Sequence, residues 1–336
     1  MTSLPPPPEN KSVWLSKKYK IVLATLIGAI LVVAIVAGTS LIENIPSSNS
    51  NNALRNITPT RVVLNVDGSV TDGNWIRDGT TDLPNYESTV SYSISNFGNR
   101  DATSVTISIS IDGSQYSTNV IPLIAASDSY SSSFSYSTPY DQTNNVLIQA
   151  VCQDSADSSS LAIGSNFPRS MPQNPGVLKL YITPKESSIV NMKNSIVNSK
   201  FFLTPDWIAI RDWVGGNIHY EFDSVSHGQD DYWQLPKETL ALRTGDCEDS
   251  AILLATLLRA DGMSASDVYV FVGKSGENGH AWVSFKWLNI LGVESWIRLE
   301  PTSGGDIVSD FFSDLAGTFE DRQIYYSFND IYYKPY

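Results

Sequence analysis

A chain of 336 residues, 42% of them hydrophobic, has room for two ordinary domains with real cores and is excluded from the disordered class. Its 35 acidic residues against 22 basic ones give a net charge of −13, which leaves no basic surface for a phosphate backbone and excludes nucleic acid as a partner. Only two cysteines occur, Cys152 and Cys247, so neither a disulfide framework nor a CxxC metal site is present.

Residues 1–20 read as a short tail that carries Pro5 to Pro8 and then Lys11, Lys17, Lys18 and Lys20. Ile21 to Ile42 is an uncharged apolar run of 22 residues, which at helical rise is about 33 Å, the thickness of a bilayer core. Lysines precede the run and Glu43 follows it, so the positive-inside rule keeps the N-terminus cytoplasmic. The expectation is a single-pass anchor at the cell membrane, with everything after it extracellular. Residues 43–60 form a polar linker containing the glycosylation sequon Asn56-Ile57-Thr58.

Between residues 61 and 168 serine, threonine and tyrosine dominate, and apolar residues alternate with polar ones. Thr89 to Ile94 and Val105 to Ile111 alternate cleanly, with turns at Asn96 to Asn99 and at Asp112-Gly113. Several strands at this spacing imply an all-β antiparallel sandwich. Cys152 falls in phase with Val146, Ile148 and Ala150 and reads as a small core residue. The pattern Ser95 to Ala102, a strand, Asp112-Gly113 and then Ile121 to Ala126 resembles the immunoglobulin-like CARDB domains of prokaryotic surface proteins. That resemblance implies either a ligand-binding module or a spacer.

From residue 172 to 336 tryptophans and helical periods return, pointing to an α/β domain. The stretch Thr244 to Gly262 starts a helix at Cys247: Asp246 can cap it, Asp249 completes a box-like start, and Ile252, Leu254, Ala255, Leu257 and Leu258 recur with helical period. A helix N-terminus favours a thiolate, as a sulfur nucleophile needs. Asp246, Glu248 and Asp249 push the other way, so a cationic partner is required. Three histidines could supply it. His219, in a short alternating run, reads as structural, and His227 lies in a polar loop. His280 opens the alternating run His280 to Trp287, which a turn near Asn289 to Gly292 connects to Glu294 to Glu300 as a hairpin. With a three-residue loop, His280 falls directly opposite Glu300 on one face, within reach of an imidazole–carboxylate hydrogen bond. Trp282, in phase with His280, is the candidate substrate-binding wall. Asp230 and Asp231 are a lone pair without the spacing of a calcium loop, so no metal or other cofactor is expected.

Tyr232 to Leu240, Arg243 to Ala251, Leu258 to Gly262, Gly279 to Val283 and Trp296 to Thr302, in that order, resemble the core of the transglutaminase-like superfamily. The resemblance implies a papain-like fold with Cys247 as nucleophile, His280 as base and Glu300 as the orienting acid, where the family usually has aspartate. It implies acyl transfer through a thioester, and the substrate would be an extracellular protein or a cell-envelope peptide. A protease or amidase is the first expectation. A protein-crosslinking transglutaminase and a non-catalytic surface binding protein are the alternatives.

Overall fold

The computed structural model describes residues 59–276, 278–288, 294–302 and 322–336. The expected anchor, residues 21–42, lies outside them, as do its cytoplasmic tail and most of the linker. Among the described residues no helix is long and apolar enough to cross a membrane.

Seven antiparallel strands come first: β1 (Leu64–Arg77), β2 (Pro84–Asn96), β3 (Ala102–Ile111), β4 (Ser114–Ile124), β5 (Ser129–Pro139), β6 (Asn144–Val151) and β7 (Ala156–Ile163). They form two sheets, in the orders β1-β2-β5 and β4-β3-β6-β7. Period-2 alternation sends Val90, Tyr92 and Ile94 of β2 inward to meet Val105, Ile107 and Ile109 of β3 and Val146, Ile148 and Ala150 of β6. Cys152 lies just past β6, half-buried against this core and not in a disulfide.

The second half carries α1 (Pro175–Leu180), α2 (Ser187–Ser199), α3 (Asp206–Asn217), β8 (His219–Tyr220), α4 (Asp223–Ser226), α5 (Pro236–Leu242), β9 (Thr244–Gly245) and α6 (Cys247–Ala260). After them come β10 (Val268–Ser275), β11 (Asn278–Leu288), β12 (Glu294–Leu299), β13 (Arg322–Phe328) and β14 (Tyr333–Pro335), which pair as an antiparallel sheet in the order β12-β11-β10-β13-β14. Helix α6 is apolar nearly all round, and its residues Ala251 to Leu258 are buried. It packs against β10 and β11, whose Val270↔Val283 and Val272↔Ala281 pairs are buried in the same core. The alternate residues Phe271 and Trp282, also paired, point to the other face of the sheet.

The two halves share this second core. Tyr140, which follows β5, and Phe167, which follows β7, are buried in it, and Trp75 of β1 meets Phe167 edge-on at 5.0 Å. Arg169 donates to both carboxylate oxygens of Glu238 on α5 at 2.7 and 2.9 Å, and Tyr140 Oη donates to the same group at 3.2 Å. A bidentate, half-buried pair of this kind holds orientation as well as charge.

Candidate active site

Cys247 is delivered by a short, tightly held approach. Helix α5 ends at Arg243 in the left-handed conformation, φ 61°, with its guanidinium 4.7 Å from the Trp213 ring. Two parallel pairs, His219↔Thr244 and Tyr220↔Gly245, then fix the backbone before α6. A Cβ at Gly245 would stand 2.7 Å from Asp249 Cβ, closer than side chains approach, so only glycine lets the chain pass there. Asp246 occupies the N-cap without a side-chain capping bond. Half of the box forms from the other side: Asp249 accepts the Asp246 backbone N–H, together with Gln234 N at 2.7 Å and Gln234 Nε2 at 2.8 Å.

His280 and Glu300 meet on the outer face of the β11–β12 hairpin, Nε2 to Oε2 at 2.8 Å. Glu300 Oε1 also accepts the Thr302 hydroxyl at 2.8 Å. The register differs from the expected one by two residues. Val283 pairs with Leu299 and Leu288 with Glu294, while the connection, residues 289–293, lies outside the described residues. Glu300 therefore comes opposite Trp282 and reaches His280 along the diagonal. A shift of two preserves the face, which is why the pair still forms. Burial works against the charge on Glu300, but the hydrogen bond and charge of His280, with the Thr302 hydroxyl and N–H, hold its carboxyl below the usual range. With Nε2 engaged, Nδ1 is the imidazole nitrogen left to take a proton from a thiol.

The sulfur itself is in a different state from the one expected. Its hydrogen-bond partner is Glu248, to which the thiol donates at 3.3 Å, while a thiolate would be met by the backbone N–H of Ala281, next to His280 in the chain. Burial pushes the Cys247 thiol far up, and the charges of Glu248 and Asp246 push it further. The helix dipole, worth about half a charge at its end, does not offset the burial of the sulfur and the acids around it. Burial and the neighbouring acids thus favour the thiol of Cys247 over its thiolate.

Trp282 does not wall an open cleft. It is 4% exposed, with its ring 6.1 Å from His280 at an interplanar angle of 23° and stacked on Phe271 at 5.8 Å. Its ring lies between those of His280 and Phe271 on the sheet. The open side of the site carries Tyr220 and Phe222, in edge contact at 5.4 Å and both exposed, which the sequence reading did not single out. Burial, then the nearby Cys247, Asp246 and Glu248, push the Tyr220 hydroxyl up to about 12. His219 lies exposed in β8, and His227 stacks on Tyr232 at 4.0 Å.

The fold also gathers four carboxylates beside Cys247. Asp223, Asp246, Glu248 and Asp249 each bring one oxygen within 4.8 Å of the others, and three of the four are buried. Asp223 Oδ1, Asp246 Oδ1 and the neighbouring Gln234 Oε1 are buried without a hydrogen-bond partner. Burial, with the charges of Asp246 and Asp231, raises Asp223 to about 6 despite the Tyr232 N–H. Glu248 and Asp249 rise well above the carboxylate range, chiefly through burial.

Residues 76–159 match the CARDB family, and residues 204–301, which include Cys247, His280 and Glu300, match the transglutaminase-like superfamily. No curated protein sequence matches the chain. Among solved structures, Legionella pneumophila LapG is 20% identical over 49% of this chain and 81% of its own, with a TM-score of 0.31. A candidate cysteine protease from Cytophaga hutchinsonii is 15% identical over 70% of this chain and 79% of its own, at 0.28. The CARDB domain of PF1109 from Pyrococcus furiosus, in complex with two metal ions, is 12% identical over 31% of this chain and 96% of its own, at 0.24.

Proposed function

From a chain that joins a CARDB domain to a transglutaminase-like domain, we propose a membrane-anchored cysteine hydrolase that cleaves amide or peptide bonds of extracellular protein or cell-envelope peptide. The observation that carries this reading is the His280–Glu300 pair at 2.8 Å, on the strand whose next backbone N–H faces the Cys247 sulfur. In the first step Nδ1 of His280 takes the thiol proton, sulfur bonds to the carbonyl carbon, and the oxyanion forms near the helix N-terminus. Collapse breaks the C–N bond, and His280 returns the proton to the leaving nitrogen. Water then attacks the thioester, with His280 taking and returning one proton, and releases a carboxylic acid and the thiol. A primary amine in place of water would give a crosslink. Glu300 holds Nε2 protonated throughout and stabilises the imidazolium.

The acid cluster is suited to a divalent cation. LapG is also known in a calcium-bound form, but the fit rests on this chain: orphaned oxygens of Asp223, Asp246 and Gln234, with Glu248 and Asp249, are a hard, oxygen-only donor set of the kind calcium takes. Bound there, such an ion would supply the positive charge that the sulfur lacks at rest.

Right-side-out vesicles carrying the full chain test the proposal. They should hydrolyse an added fluorogenic peptide amide, Cys247→Ala vesicles should not, and external protease should remove the activity. Full activity with Cys247→Ala would defeat the catalytic assignment, and protease-resistant domains in sealed vesicles would defeat the topology.

A further inference from the structure

At the end of α6 farthest from Cys247, two tips of the chain present apolar side chains to solvent. The connection between α2 and α3 carries Phe201, Phe202 and Leu203 in succession, 64%, 78% and 69% exposed, with the two rings in contact at 4.8 Å. The turn is braced: the Thr204 N–H donates to the Phe201 carbonyl at 2.8 Å, and Lys200 Nζ is held by the Thr204 carbonyl at 2.7 Å and by Asp206 at 3.0 Å. Lys193 on α2 pairs at 3.8 Å with Asp261, just past α6, and the charges of Asp206 and Lys200 also act on Asp261, which places this tip beside the C-terminal end of α6. The turn between β13 and β14 is drawn to the same end. Arg259, in the last turn of α6, binds both carboxylate oxygens of Asp330 at 2.7 and 2.9 Å, and Asn329 Nδ2 donates to the Val268 carbonyl at 2.9 Å. Ile331 and Tyr332 of this turn are 50% and 49% exposed. Single exposed apolar residues are ordinary, whereas a group of them on two braced tips at one end marks a contact surface.

We propose that this end rests on the bilayer that carries the chain's own anchor, with the apolar tips in the headgroup layer of neutral phospholipid and Cys247 turned away from it. The inference rests on the membrane-anchored reading. The charges that brace the tips pair with one another, Lys193 with Asp261, Lys200 with Asp206 and Arg259 with Asp330, so these cations are not spare for an anionic headgroup. Convex apolar tips suit a fluid interface, which closes around each of them, better than a protein surface, which needs a matching pocket for each. The tether makes a weak contact sufficient, because tips held to the same membrane meet lipid at a high effective concentration. Residues 43–60, fully extended, reach roughly 60 Å, and β1, with 14 residues, runs about 46 Å, so the linker is long enough for the second half to turn back to the membrane. Helix α6, of 14 residues, is about 21 Å from end to end. Docking therefore holds the nucleophile at that height above the lipid and selects bonds in polypeptide that stands clear of the membrane.

The test is quenching by spin-labelled lipid. The full chain, carrying Cys152→Ala and Cys247→Ser, is reconstituted in phosphatidylcholine vesicles with bimane attached at Phe202→Cys, at Ile331→Cys or, as the apolar and exposed reference near the nucleophile, at Phe222→Cys. Doxyl-labelled phosphatidylcholine should lower the emission about twofold or more at positions 202 and 331 and leave position 222 unchanged. Phe201→Ser, Phe202→Ser and Leu203→Ser together should roughly halve the quenching at position 331, since the two tips dock as one surface. Absence of quenching at 202 and 331, or equal quenching at all three positions, would overturn the proposal. So would quenching that appears only when phosphatidylglycerol is added, because the contact would then be electrostatic. A bimane at 202 that is shielded from aqueous iodide yet not quenched by lipid would mean that a second copy covers the tip, and the proposal falls. Alkaline carbonate extraction of the same vesicles tests the anchor separately. A chain quenched at the tips but extracted by carbonate keeps the docking surface and removes the anchor; one retained but unquenched keeps the anchor and removes the docking surface.

Discussion

Glu248 decides the resting chemistry of Cys247. It accepts the thiol proton at 3.3 Å, and its charge is the largest electrostatic contribution, after burial, to keeping sulfur protonated. Replacing it with glutamine keeps the shape and removes the carboxyl that, where ionised, opposes the thiolate. Iodoacetamide at pH 8 in chelator-treated buffer should label Cys247 at least tenfold faster in Glu248→Gln than in the wild type, with Cys152 as the internal reference. Equal rates would mean that burial alone sets the state of the sulfur. The sequence disclosed the three acids and the direction of their push. It could not disclose that they prevail, because the balance depends on burial, and Asp223, the fourth member of the cluster, comes from α4 well upstream.

At the scale of elements, the hairpin alternation of β11 and β12 was legible and its register was not. Alternation fixes which residues share a face, whereas turn length fixes which of them are opposite, and the turn residues near Asn289 to Gly292 do not declare their number. The diagonal that results favours the longer acid. Cβ atoms on a diagonal are about 7 Å apart, against roughly 5 Å directly across, so Glu300→Asp should lose contact with Nε2. Peptide hydrolysis should then fall about 100-fold, the scale of a misplaced catalytic group, and Glu300→Gln, which keeps the reach, should fall less. The reverse order would place the pair directly across. Glu300 has a depressed folded pKa, so its contribution to stability is present above the unfolded value of about 4.3 and is lost as pH falls through the lower folded value. The melting temperatures of Glu300→Gln and wild type should accordingly differ at pH 7 and converge once pH falls below the depressed folded value of Glu300. Strand β13 escaped the sequence reading for another reason. Its partner β10 lies far earlier in the chain, and local pattern carries no record of a distant pairing.

For the whole molecule, the composition change near residue 170 suggests two independent bodies, yet the core does not divide there. Tyr140 and Phe167 come from the strand-rich half and are buried with Tyr181, and Trp233 completes the stack. A chain starting at residue 172 loses both rings and leaves the half-buried Glu238 without Arg169. Burying each ring contributes about 1.5–3 kcal/mol, and about 2–4 °C accompanies each kcal/mol in a domain of this size. Residues 172–336 should therefore melt roughly 10 °C or more below residues 59–336, and a start at residue 164 should recover part of the loss. Equal melting temperatures would make the shared core incidental. The same packing governs where the chain can be cut. The connection after β7 is no loose linker: Phe167 is 4% exposed, Arg169 is clamped to Glu238, and the Tyr181 hydroxyl donates to the Pro168 carbonyl. Proteases nick exposed, mobile chain, so this junction should resist cleavage, and any fragment that carries the second half should carry the sandwich with it.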